Sequence, residues 1–261
     1  MGIIVDSITR NGKFEPFELQ VARGLISYHS VVNIFGYQPA LTAIAAPTTA
    51  PIAVWENAAA YVFPTSASTM TLATTQSADA GLTITINGLD LNYNIISESI
   101  TFTSGNYTGA TTVKSYLRIN NMFVSSDVTS PGTLNTGLIT LKSGGVTYAQ
   151  IAIGSGKSQM SIYTVPNNYT FSLNRANVFT SQAYTVAGSS LYRVFSVNNT
   201  TGAAFAVLQT PFVGTFAVNR QYPFSYDGKT DLQWQVGTNV TSIAAGVNIE
   251  GILVGVDASI I

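Results

Sequence analysis

The residues best suited to chemistry are a glycine-rich loop, a single histidine and a few carboxylates. Gly154-Ser155-Gly156-Lys157-Ser158 carries the ending of a phosphate-cradling loop, but that pattern needs a glycine at position 151, where Ile151 stands. Gly228-Lys229-Thr230 departs in the same way, with Pro223 at the upstream position. Both read as glycine-containing turns with a solvated lysine. His29 is the only histidine. A multi-histidine metal site is therefore excluded, and a Ser-His-Asp triad would have to be built around this one ring. Lying between Tyr28 and Ser30, it reads as a contact or loop residue.

Asp227 with Asp231, and Asp79 with Asp90, are the carboxylate pairs nearest in sequence to what a glycosidase uses. Asp79 adjoins Ala80-Gly81 and Asp90 follows Gly88-Leu89, so both are expected in turns, bonded to local backbone. The acidic residues lack the spacing of a calcium loop, and no metal or cofactor is assigned. Asn106, Asn168, Asn199 and Asn239 each begin an Asn-x-Thr triplet, which a chain rich in Asn and Thr produces by chance. The expectation is a protein that is not an enzyme.

The 13 tyrosines and 13 phenylalanines can furnish a sugar-stacking platform, but most belong in a core. Phe102, Tyr148, Phe171, Phe195 and Trp234 occupy strand-face positions and are expected to be buried. Trp55, beside Glu56, reads instead as an interface anchor.

Elements that hold these residues are read from periodicity. Leu82, Ile84 and Ile86 alternate with polar neighbours, as do Tyr169, Phe171 and Leu173, and Leu232, Trp234 and Val236. Further strands are expected over 98–103, 114–120, 138–142, 146–153, 160–165, 191–197, 203–209 and 247–256. Turn signals such as Ser143-Gly144-Gly145, Pro166-Asn167-Asn168 and Asp227-Gly228 separate them. One short helix is expected after Pro16, ended by Gly24. No repeat period suggests a propeller or solenoid. The predicted fold is all-β, a jelly-roll-type antiparallel β-sandwich, either one large unit or two abutting ones divided near 144–158.

Between Arg23 and Asp79 the only charged residue is Glu56. Pro39, Pro47 and Pro51 punctuate this stretch and disfavour a helix or a central strand. Residues 1–52 are accordingly expected to form an extended arm with a short helix, lying across its own domain or a neighbouring subunit, and 53–261 the sandwich region. Phe17, Leu19, Arg23, Ile34, Phe35, Trp55 and Glu56 are the candidate assembly contacts.

Charged residues make up 9% of the 261, against about a quarter in an ordinary soluble domain. Thr, Ser, Asn and Gly take their place, which suits a molecule covered by other proteins. A net charge of −1 with no basic run argues against nucleic acid as a partner. Charges at Asp6, Arg10, Lys13, Glu15 and Glu18 interrupt any signal-peptide core, so synthesis in a cytoplasm is expected. No apolar run approaches the roughly 20 residues of a membrane helix.

An ordered series of short motifs resembles virion structural proteins of tailed bacteriophages, those of marine cyanobacterial phages included. It comprises Gln20-Val21-Ala22-Arg23-Gly24, Val54-Trp55-Glu56, Asn87-Gly88-Leu89-Asp90, Glu98-Ser99-Ile100-Thr101, Tyr116-Leu117-Arg118-Ile119 and Asn135-Thr136-Gly137. Tyr163-Thr164-Val165-Pro166, Lys229-Thr230-Asp231-Leu232 and Gly251-Ile252-Leu253-Val254 complete it. The resemblance implies residence in a phage particle. With the low charge, it leads to the expectation of a capsid decoration or cement protein. Such a protein would be a homo-oligomer, a trimer by preference, bound to other virion proteins and the major capsid protein first among them. The alternative is a tail, head-fibre or baseplate protein that binds host-surface carbohydrate.

Overall fold

A computed structural model describes residues 9–10, 13–41, 51–57, 59–127, 132, 134–181, 190–239 and 242–256. It is all-β with antiparallel sheets, 59% strand and 4% helix. The chain opens with a ribbon of β1 (Thr9–Arg10) and β2 (Lys13–Phe14), then helix α1 (Phe17–Ala22). Pro16 accepts the first helical N–H bonds and Gly24, at φ +69°, lets the chain leave. Val21 and Ile26 pack beneath onto Ile252 and Val254.

The strands that follow are β3 (His29–Leu41), β4 (Ile52–Ala53), β5 (Thr71–Thr74), β6 (Leu82–Leu89), β7 (Ile95–Thr101), β8 (Ala110–Thr111) and β9 (Arg118–Asp127). Next come β10 (Ile139–Ser143), β11 (Val146–Ile151), β12 (Ile162–Thr164), β13 (Tyr169–Thr180) and β14 (Ser190–Asn198). The last are β15 (Ala204–Phe212), β16 (Thr215–Asp227), β17 (Thr230–Thr238) and β18 (Ile243–Gly255).

Pairing among the outer strands is nested. β3 pairs with β18, β4 and β12 both with β17, β13 with β16, and β14 with β15, all antiparallel. With β4 and β12 counted as one interrupted strand, the first pairs the eighth, the second the seventh, the third the sixth and the fourth the fifth. Lateral pairs β13–β18 and β14–β17 join these ribbons into two sheets, β16-β13-β18-β3 and β12-β17-β14-β15. Alternate side chains of both enter one core: Phe171, Val178, Val247 and Ile249 from the first, Tyr192, Val194, Leu232 and Trp234 from the second. The two-residue period read in the sequence is what puts them there.

The interruption between β4 and β12 is a second unit with its own core. Its sheets are β11-β10-β5-β8 and β7-β6-β9, and Leu72, Ile84, Ile86, Met122, Leu141 and Ile151 are buried between them. The chain enters and leaves at neighbouring points on β17, where Ala53 pairs Gln235 and Ile162 pairs Gln233. Trp55 and Met160 face one another just beyond. The four larger sheets also read as a four-blade, propeller-like arrangement. No sequence repeat underlies it, and the two outer sheets take their strands from distant stretches of chain.

Three expectations need correction. His29–Leu41 lies along its own domain, one of the two courses expected of the arm, but as a full edge strand bonded along β18 and not as a loose extended segment, because its alternate residues Ile34, Gly36 and Gln38 face inward. Gly144 and Gly145 close the β10–β11 hairpin instead of dividing domains; the chain passes between the two cores at 52–55 and 160–163, where Val54 and Tyr163 face the first core and Ala53, Trp55, Met160 and Ile162 the second. Phe195 lies outside the core, half-buried beneath the Arg193 guanidinium at 5.4 Å. Pro47 lies outside the described residues. No helix among the described residues is long and apolar enough to cross a membrane.

Candidate functional site

The two units are joined by a buried ion pair. Arg118 on β9 meets Asp231 on β17 through two parallel bonds, Nε to Oδ1 and the second guanidinium nitrogen to Oδ2, both 2.8 Å. The remaining guanidinium nitrogen donates to the carbonyls of Pro64 (2.7 Å) and Leu117 (2.9 Å). The rings of Phe63 and Tyr93 lie against the same group, 4.9 and 5.5 Å away. Asp231 also accepts from Thr164 Oγ1 (2.6 Å) and Asn199 Nδ2 (2.9 Å). Burial alone would lower the Arg118 pKa, but the bond and charge of Asp231 raise it above its ordinary value. With every lone pair occupied, this is a structural pin.

The second unit carries a cleft of about 710 Å³, walled by β6, β9, Leu134 and the loop at 155–157. A hollow of about 300 Å³ shares Asn87 and Asn121 with it and reaches Val31, Val32 and Asn33 of β3. Asn87 Nδ2 donates to Asn121 Oδ1 at 2.9 Å, so one amide of each strand is fixed by the other. Asn120 points elsewhere: it both donates to and accepts from the Thr164 backbone. The outward face of β7-β6-β9 continues the row. Thr85 bonds Ser99 and Thr83 bonds Thr101, each at 2.8 Å, with Phe123 registered beside Thr85.

The motifs singled out in the sequence are held in local structure. Gly154 and Gly156 donate their N–H groups to Asn135, so those amides do not cradle an anion. Lys229 lies in a turn at φ +65°, its carbonyl accepting from Asn199. His29 Nδ1 bonds the Ser27 carbonyl and its ring stands edge-on to Phe17. Asp79 is buried and accepts from Thr74, from the N–H and hydroxyl of Thr136, and from Gly137 N–H. Asp90 caps its own turn through Asn92 and Asn94. Among the described residues no group of three or more His, Cys, Asp or Glu is placed to hold a metal ion.

Of the candidate contacts, Phe17, Leu19 and Phe35 are exposed, at 41%, 48% and 39%. Arg23 pairs with Glu15. Ile34 and Trp55 are corrections, since they are 7% and 2% exposed. Ile34 lies in the first core, and Trp55 lies in the second with its indole N–H donated to Ala59. Glu56 is half-buried, and loss of solvent raises its pKa from 4.5 to about 7 against the opposing bonds from Ala152 N–H, Ser155 and Gln159. The sequence reading missed Asn87, Asn121 and the Arg118–Asp231 pin. The asparagines carried a signal, because Asn87 continues the outward positions Thr83 and Thr85. The pin carried none.

No family model matches this chain, and no curated protein matches it. Solved structures with some likeness include a chain of the T13 IBDV viral particle, at 10% identity and TM-score 0.24, covering 87% of this chain and 70% of that one. Another is the infectious bursal disease virus VP2 subviral particle, at 8% identity and TM-score 0.20, covering 89% and 73%.

Proposed function

We propose that the chain is a structural component of a bacteriophage virion, a capsid decoration or cement protein that works by self-association and by contact with the major capsid shell. The observation that carries this reading is where the charge sits. Only 23 of 261 side chains are formally charged, and Asp79, Arg118 and Asp231 among them are spent inside the fold. What faces outward is hydroxyls, amides and exposed apolar residues such as Phe17, Leu19, Leu25, Tyr28 and Phe35. A surface so poor in repulsion favours association.

The nested pairing of first with eighth through fourth with fifth supports reading the outer unit as a jelly-roll sandwich, a form found in capsid proteins but also in lectins and cupins. Fold alone therefore does not choose the function. The test is the protein's place and number in purified particles, measured by quantitative mass spectrometry, with light scattering on the free protein for its oligomeric state. Hundreds of copies per particle and a cyclic oligomer, a trimer by preference, are expected. Absence from particles, or a free monomer that never joins them, would overturn the reading.

The second reading, a tail, head-fibre or baseplate protein binding host-surface carbohydrate, is favoured by the amide-lined cleft. A copy number of a few dozen or fewer would select it.

A further inference from the structure

We infer that the cleft at Asn87 and Asn121, with the hydroxyl face that runs out of it along β7-β6-β9, binds a neutral oligosaccharide. The inference deepens the second reading above and does not depend on the first. Hydroxyl and amide groups both donate and accept, and the pairs Thr83–Thr101, Thr85–Ser99 and Asn87–Asn121 each use one internal bond. Their remaining capacity points outward. A sugar's hydroxyls need that mixed lining, and the internal bonds hold it in place before a ligand arrives.

Apolar surface sits where a sugar's C–H face needs it. Phe123 lines the cleft with Leu134, a leucine 55% exposed beside Gly156. The volume of about 710 Å³ falls within the roughly 300–1,000 Å³ of small-molecule sites. The paired residues carry no charge, and among the described residues Lys157 and Asp127 are the only charged side chains lining the cleft. One cation beside one anion does not make the field that a nucleic acid or a polyuronate requires. Nor is the face suited to the centre of a protein interface, where apolar and aromatic groups dominate.

The test is calorimetric titration of the full chain with a panel of neutral hexose and pentose oligomers and, in parallel, oligogalacturonate. At least one neutral oligomer is expected to bind, with affinity falling about tenfold or more in Asn121→Ala and in Phe123→Ala. Melting temperatures should stay near that of the parent. Asn121→Asp, which keeps the shape, controls for folding: it should melt normally and still lose the neutral ligand. No neutral oligomer binding at about 10 mM would overturn the inference, as would binding insensitive to both substitutions. Binding confined to oligogalacturonate and abolished by Lys157→Ala would replace it with an acidic-sugar site. Titration uses the isolated protein and copy number uses particles, so failure of one is distinguishable from failure of the other.

Discussion

Arg118 and Asp231 are 113 residues apart in sequence and share two bonds in the interior. Removing one partner strands the other's charge with its remaining hydrogen bonds broken or misdirected, so Asp231→Asn or Arg118→Met should each cost about 3–5 kcal/mol in urea denaturation. The double substitution Arg118→Met with Asp231→Leu should recover much of that loss, because no uncompensated charge remains. Glu56 acts in the opposite sense. Its folded pKa of about 7 lies above the unfolded 4.5, so it binds more protons when folded, and stability falls as pH rises between those values. The contribution is fully present below about pH 4.5 and lost above about pH 7. Glu56→Gln keeps an acceptor for Ala152 N–H and removes the loss. After allowance for solvent screening, the variant should gain about 1–2 kcal/mol on the parent at pH 8 and little at pH 4, read from paired thermal melts.

At the scale of the element, proline misled. Pro39, Pro211 and Pro223 each lie within a strand, in β3, β15 and β16, and each of those strands is the edge of its sheet. An edge strand has a side with no ladder to complete, so a missing N–H there leaves nothing unpaired. The sequence of β3 thus looks like an arm and folds as a border. Its tightest point is Gly36, where a Cβ would lie 2.3 Å from the Val54 carbonyl oxygen and 2.6 Å from Ser161. Ser161 is itself fixed, accepting from Val54 N–H and donating to the Trp234 carbonyl. Backbone cannot yield there, so Gly36→Ala should destabilise by about 3 kcal/mol. Gly105→Ala, where the new Cβ would meet only the Thr103 hydroxyl oxygen at 4.0 Å, should change the same denaturation curve little.

For the molecule as a whole, the inserted unit hangs from two adjacent points on β17. Trp55 and Met160 sit opposite one another there, so replacing 56–159 with a short glycine-rich turn should leave the outer eight strands able to close. The truncated protein should unfold in one cooperative transition, at a lower denaturant concentration than the parent, because Asp231 then lacks Arg118. Adding Asp231→Asn to the truncation should raise that midpoint. A product without cooperative unfolding would mean that the outer core depends on the insert.

Much was legible without coordinates. Alternation at Leu82–Ile86, Tyr169–Leu173 and Leu232–Val236 marked strands and their inward faces, since the two-residue period of a strand is a local property. Turn residues marked the hairpins, and the shortage of charge belongs to composition alone. The partners of those strands were not legible. β3 finds β18 across some 200 residues, and nothing local in either names the other. The same holds for the hollow beside the cleft, whose Asn33, Asn87 and Asn121 come from three strands. Local pattern decided which side chains face inward; only tertiary pairing decided which of them meet, because a strand's edge bonds any backbone and register is chosen by the packing of the whole core.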